Sequence, residues 1–254
     1  MSSGFLESLR SDLAREGLNH IGVVTRTRYD AAAPPHLRAE QIHPAARAIV
    51  VVGSGGRAHW EAFLAYVAED PVERLARRAD PLDDFCADVF ARLGASLDGC
   101  RVIFPTFQAS VRLDFMKVAA LAGLGAPSEL GILVSERFGP WLGLRAAVFV
   151  PHDLPESGAA QRLCDGCPAP CRAACPPRIV GPGLFPWPRC VAERSATGSP
   201  CGSRCGAREA CVVAPEARYD ALELVYHYDR PAGRRMLCER FAVHDEVGAP
   251  MARG

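Results

Sequence analysis

Phe5, Leu6, Leu9 and Leu13 recur at helical spacing, and Gly17 is placed to end that helix. Ile21 to Val24 then reads as a strand, and Pro34, Pro35 and Pro44 mark a loop. Ala48 to Val52 is a continuous apolar run, the pattern of a strand covered on both faces, and it runs into Gly53-Ser54-Gly55-Gly56. That glycine patch lacks the full dinucleotide fingerprint and is expected to be a plain turn. Trp60, Phe63, Leu64 and Val67 form a second helical stripe. Leu82, Phe85, Cys86, Val89, Phe90, Leu93 and Leu97 form a third, with Cys86 as a small core residue on it. Arg101 to Phe104 predicts a strand stopped by Pro105, and Val111 to Leu124 a helix. Glu129–Ser135 and Leu142–Val150 predict two strands joined by the turn Phe138-Gly139-Pro140, and Tyr219–Tyr226 and Pro231–Phe241 two short helices.

This order predicts an α+β architecture with α/β-like alternation. One core is expected over residues 1–155, a loop-built segment over 156–214, and C-terminal helices over 215–254 that fold back on the core. No solenoid repeat is visible.

Composition sharpens the middle segment. Eight of the 11 cysteines fall between Cys164 and Cys211, amid clustered proline and glycine. Cys164, Cys167, Cys171 and Cys175-Pro176 nearly follow the ferredoxin run C-x2-C-x2-C-x3-C-P, with one extra residue between the second and third cysteines. Cys190, Cys201, Cys205 and Cys211 would supply the remaining ligands of one or two clusters. By the ferredoxin pattern, Cys164, Cys167 and Cys171 serve one 4Fe–4S cluster and Cys175 the other. Which later cysteine crosses over is left open by the irregular spacing. Structural zinc competes, although zinc thiolates usually come as two separated C-x2-C knuckles.

Disulfides need an oxidising compartment. Met1 to Asn19 carries Glu7, Asp12 and Glu16 among its apolar residues, unlike a secretory signal, so a cytoplasmic location is expected. No apolar run approaches bilayer-spanning length. Lys and Arg total 29 against 29 Asp and Glu, with Lys117 the sole lysine, so net charge draws no polyanion. Aromatic and basic residues do not interleave as base-stacking surfaces do, so nucleic acid is not an expected partner.

Three stretches carry a family resemblance. Ala122-Gly123-Leu124-Gly125, Glu129 to Val134, and Phe138-Gly139-Pro140-Trp141-Leu142-Gly143-Leu144-Arg145 resemble the corrinoid-binding core of epoxyqueuosine reductases, a core also found in cyanocobalamin-processing (CblC-type) proteins. The resemblance implies a nitroreductase-like core whose cleft holds a cobalamin, or a flavin in its place, followed by a cysteine-rich ferredoxin-like insertion. Pro215 to Tyr219, Tyr226-His227-Tyr228 and Pro231 to Arg234 are similar to the closing segment of the CblC-type proteins. There the resemblance assigns Arg145, Arg208 and Arg234 to glutathione carboxylates, which suits a guanidinium fork, and puts Trp141 beside the cofactor. For each arginine the competing reading is an ordinary structural ion pair, and for Trp141, Tyr226 and Tyr228 ordinary packing. His152 and His227 are open to local hydrogen bonding or to a cofactor role.

Departures matter as well. Pro105 to Ser110, which matches the region of the reductases' general acid, has no carboxylate, and Ala126-Pro127-Ser128 replaces their usual Trp-Ile-Gly-Lys. Without their transfer-RNA-gripping helical repeats, epoxide reduction on a transfer RNA is not expected. CblC-type proteins in turn generally lack a cysteine-rich insert. The function expected is an iron–sulfur, corrinoid-binding oxidoreductase fed by an external low-potential donor. The alternatives are a ferredoxin-like electron carrier without cobalamin and a non-redox protein with structural zinc or a structural cluster.

Overall fold

The computed structural model describes residues 2–105 and 111–243. Along the chain run α1 (Ser2–Arg15), β1 (His20–Thr25), α2 (Arg26–Ala32), α3 (Ala39–Ile42), β2 (Ala48–Gly55), α4 (Ala58–Glu69), α5 (Pro81–Leu93), β3 (Arg101–Ile103), α6 (Phe115–Leu121), β4 (Ala126–Pro127), β5 (Leu133–Val134) and β6 (Leu142–Val150). The later helices are α7 (Pro170–Ala174), α8 (Trp187–Ser195), α9 (Gly206–Glu209), α10 (Ala221–Tyr228) and α11 (Arg230–Arg240).

Strands β1, β2, β6 and β3 lie in that order in one sheet, every neighbouring pair antiparallel. The architecture is therefore α+β. β2 is buried at all eight positions, as its unbroken apolar run requires. Its side chains alternate between two cores. Val50 and Val52 meet α1, α4 and α5 through Leu9, Phe63 and Phe85, while Ile49 and Val51 meet α2, α3 and α6 through Tyr29, Ile42 and Val118. The sheet is thus sandwiched between helices. Tyr226 and Leu237 of the last two helices are fully buried in the first of these cores, so α10 and α11 fold back on it. No helix among the described residues is long and apolar enough to cross a membrane.

Two elements are shorter than the pattern predicts. The helix expected from Val111 begins at Phe115, where the Asp114 carboxylate accepts from the Lys117 N–H at 3.0 Å and caps it. The strand expected over Glu129–Ser135 shrinks to Leu133–Val134, because Ser128 turns the chain first. Its hydroxyl donates to the Ile132 carbonyl at 2.7 Å, and the Gly131 N–H bonds back to the Ser128 carbonyl at 3.1 Å. The glycine patch expected to be a turn instead continues β2 through Gly55, where Asn19 forms paired hydrogen bonds with the Gly55 backbone, and the chain turns only at Gly56. Most of the Pro105–Ser110 stretch, residues 106–110, lies outside the described residues.

Candidate functional site

The segment after β6 folds against the turns of the core rather than around an apolar centre of its own. Its small cluster of Cys175, Ile179 and Ala207 is completed by Leu130, which belongs to the core turn. Two glycines make the docking close. Gly131 sits at φ +73°, and a Cβ there would lie 2.5 Å from the Phe185 ring. Gly139, at φ +56°, lies directly under the Val213 carbonyl, where a Cβ would collide. Both positions need glycine for conformation and for clearance. Beside them, Arg172 on α7 donates to both carboxylate oxygens of Glu129, one bond at 2.6 Å. This pairing holds the Glu129 carboxyl below its usual range.

That docking sorts the eight thiols. Cys164, Cys167, Cys171 and Cys211 surround a small hollow of about 20 Å³ beside Glu129 and Leu130. Cys175, Cys190, Cys201 and Cys205 line a larger cavity of about 340 Å³. Packing of Val213 on Gly139 returns the chain to the first trio, so Cys211 is the one that crosses over. Burial pushes the thiols of Cys171, Cys190, Cys201 and Cys211 up, and neighbouring thiols of the same set push in the same direction. Metal binding would have to displace those protons. Among the described residues no group of three or more His, Cys, Asp or Glu is arranged to hold a metal ion. One zinc ion would need its four sulfurs about 3.8 Å apart, from tetrahedral bonds of about 2.3 Å. A cubane spreads its thiolates over four different irons and so sets them farther apart.

The larger cavity lies between the cysteine segment and the core. Ile179, Val180 and Phe185 face it from the segment, and Leu130, Ile132 and Leu142 from the core. Apolar walls with a few convergent polar groups are the usual make-up of a ligand site. The polar groups here include Arg145, Arg208, Tyr219, His227 and Tyr228, with Glu193, Arg194 and Arg204 from the cysteine segment. Arg145 reaches the cavity through a break in register. Val52 pairs with Ala146 and Gly53 with Leu144, which leaves Arg145 as the extra residue of a bulge in β6. Its Nε donates to the Ser54 hydroxyl at 3.2 Å. Arg208 is clamped. Its guanidinium stacks 4.6 Å from the Trp141 ring and 4.8 Å from the Tyr219 ring, and two of its nitrogens donate to the Pro140 carbonyl at 3.1 and 2.8 Å.

Behind this wall several titratable groups are buried. Burial, reinforced by the nearby Arg145 cation, pushes His227 down to about 3, and does the same to His59. Burial pushes Glu223 up to about 8, with Asp220 adding to the rise and Arg145 opposing it. At neutral pH both imidazoles are therefore uncharged and Glu223 keeps its proton.

Of the residues singled out in the sequence, all eight cysteines gather in two sets, and Arg145 and Arg208 share the larger cavity. Arg234 does not reach it. It donates to the carbonyls of Arg78 and Ala79 at 2.6 Å and of Leu75 at 3.3 Å, which lie in and just after a π-helical turn (Val72–Ala76) whose last carbonyls need donors. Trp141 is fully buried and acts as the platform under Arg208 rather than as cavity lining. His152 is exposed and packs on Phe5, away from the cavity. Tyr219, Glu223 and His59 were not legible as site residues. The Asp220-x-x-Glu223 spacing is a helix-cap signal, and Asp220 does accept from the Glu223 N–H at 2.8 Å.

No protein-family model matches the chain, and no curated protein matches it in sequence. Solved structures do resemble it. An epoxyqueuosine reductase from Bacillus subtilis superposes with a TM-score of 0.60 at 15% identity, over 87% of this chain and 68% of that one. A selenomethionine-labelled epoxyqueuosine reductase gives 0.62 at 14% identity, over 95% of this chain and 76% of that one. The B12-trafficking protein CblC of C. elegans gives 0.64 at 11% identity, over 97% of this chain and 100% of that one. The chain therefore has the fold that epoxyqueuosine reductases and the B12-trafficking protein CblC share.

Proposed function

We propose that this chain is an iron–sulfur oxidoreductase that carries electrons from an external low-potential donor to a corrinoid held in the larger cavity. One observation carries the reading: Cys175, Cys190, Cys201 and Cys205 line the same cavity as Arg145, Arg208 and His227. A redox centre held by those thiols would sit in the wall of a ligand site. The other four thiols stand behind it as a second station. Thiolate-held 4Fe–4S clusters supply electrons at potentials low enough for corrinoid reduction.

The chain's own residues would orient and enclose the ligand. The apolar walls suit the face of a flat macrocycle and keep water from it, while Arg145 and Tyr228 offer donors to peripheral amides or carboxylates. A cavity of about 340 Å³ lies near the small end of ligand pockets, about 300–1,000 Å³. It suits the ring of a corrinoid, with the nucleotide tail at the mouth, and it would also take a flavin ring. Glutathione, if it is a partner, would meet Arg145 and Arg208 but not Arg234.

Anaerobic purification with iron and labile-sulfide analysis tests the first half. About eight irons per chain, with a brown absorbance that dithionite bleaches, are expected for two 4Fe–4S clusters. Titration with hydroxocobalamin tests the second half, with flavin mononucleotide run in parallel. A spectral shift with hydroxocobalamin that Arg145→Ala weakens supports the corrinoid. A shift with flavin alone replaces it, and no shift with either leaves an electron carrier. Colourless, zinc-loaded protein would overturn the redox reading.

A further inference from the structure

The helical side of the cavity carries a polar arrangement that an electron relay leaves unused. Glu223 is 3% exposed, and its Oε2 has no hydrogen-bond partner. Nor do His227 Nε2, His59 Nε2 and Trp60 Nε1, all of them buried. The four atoms come from two helices, α4 and α10. His227 Nε2 lies 3.9 Å from Glu223 Oε1, and the His227 ring centre lies 6.4 Å from that of Trp60. A span of 3.9 Å is too long for a direct hydrogen bond, but one water or a small side-chain shift closes it. Buried polar atoms without partners are rare, and a cluster of them marks a place where protons or internal water are handled.

The groups facing the pair come from each element around it. Arg145 approaches from β6, Arg208 from α9, Arg57 from the start of α4, His59 from α4 itself, Asp220 from the cap of α10, and Tyr219 from just before that cap, its ring centre 5.4 Å from that of His227. The cations outnumber the single carboxylate, so a Glu223 anion would be tolerated there for short periods. Burial decides the resting state, with the acid protonated and the imidazole neutral. A neutral acid behind a neutral imidazole can hand on one proton without stranding a charge in the apolar cavity. Nε2 takes the carboxyl proton as the opposite ring nitrogen releases its own.

We propose that Glu223 and His227 form a proton-holding pair, with His227 as the face it presents to the cavity, which exchanges one proton as charge arrives there. The inference rests on the cavity being a site of reduction. Where Glu223 is ionised, the first electron that the external donor delivers to the cavity is matched by one solvent proton that binds its carboxylate. The O–H bond formed there balances the added charge, and only the donor is oxidised. An acceptor that needs a proton with its electrons then takes it through His227, which leaves the Glu223 carboxylate near Arg145 until solvent reloads it.

Infrared difference spectroscopy on the anaerobically reconstituted protein provides the test, with Glu223→Gln and His227→Asn as variants. At pH 7 the parent should show a buried protonated carboxyl that Glu223→Gln removes and that titrates away near pH 8. His227→Asn should shift that titration. Dithionite reduction in weak buffer, just above the pH of that transition, should take up protons in the parent and none in Glu223→Gln, read with an indicator dye. An ionised Glu223 at pH 7, or equal uptake in parent and variant, would overturn the pair. Missing dithionite-bleachable colour would instead overturn the redox reading. The pair then stands or falls on the carboxyl titration and its dependence on His227, which need no cluster.

Discussion

Phe185 rests its ring on the bare backbone of Gly131, so closely that one added methyl group would lie 2.5 Å from it. Gly131 also sits at φ +73°, where an L side chain is strained. Gly131→Ala should cost about 1–3 kcal/mol through overpacking and strain. The loss should concentrate in the docking of residues 156–214. Limited proteolysis is expected to cut that segment faster in the variant while the sheet core survives. Uniform loosening of the whole chain would contradict this.

The thiol sets predict how losses combine. Cys171→Ser and Cys211→Ser should each remove the same part of the bound iron, and the double variant should lose little more than either alone. Cys171→Ser with Cys205→Ser should lose both parts. Iron analysis on anaerobically reconstituted variants checks this. Additive losses from Cys171→Ser and Cys211→Ser would mean that Cys211 belongs to the other set.

Arg234 and Arg145 separate structure from binding. Arg234→Ala removes three hydrogen bonds to backbone carbonyls and should destabilise the fold by about 1–3 kcal/mol. Ligand affinity in the cavity should stay unchanged. Arg145→Ala should weaken anionic or amide-bearing ligands at least several-fold. Chemical denaturation and ligand titration on both variants read the two effects separately.

Stability should peak near neutral pH. His59 and His227 are held down to about 3, against about 6.5 when unfolded. The unfolded chain therefore binds more protons below that value, and stability falls as pH drops through the window. Glu223 acts in the opposite sense. Its folded value of about 8 lies above the unfolded one, so stability declines as pH rises toward 8 and then levels off for this group. Glu223→Gln should remove the alkaline decline and keep the acid one, as thermal melts across pH would show. An unchanged alkaline limb would mean that Glu223 is not the group responsible.

The core of this fold is written plainly in its pattern of apolar residues. The unbroken run Ala48–Val52 became the central strand, and the stripes through Leu9, Phe63 and Phe85 became the helices covering one face. The cysteine count and spacing pointed to one or two clusters, and the sorting into two sets came from the fold. Other features depend on contacts distant in sequence. Cys201-x3-Cys205-x5-Cys211 does not say which thiol crosses over, since that follows from Val213 packing on Gly139. The bulge at Arg145 arises from strand register, which no local pattern encodes. Arg234 sits in a stretch like those of the other two arginines, but its donors serve backbone carbonyls equally well. Glu223 reads as the third residue of a capped helix, and only the packing of α10 against α4 takes it out of water.

Cys211 lies with the trio that opens the segment, and the four thiols that line the larger cavity are strung between them. Along the chain, one set of thiols is an opening and closing bracket around the other. Closing the outer set directly means joining the ends of a long loose loop, whereas an inner centre formed first shortens the slack and lowers that entropic cost. Loading should therefore run from the inside outward, and iron starvation during synthesis should leave the outer thiols as the first to stay bare.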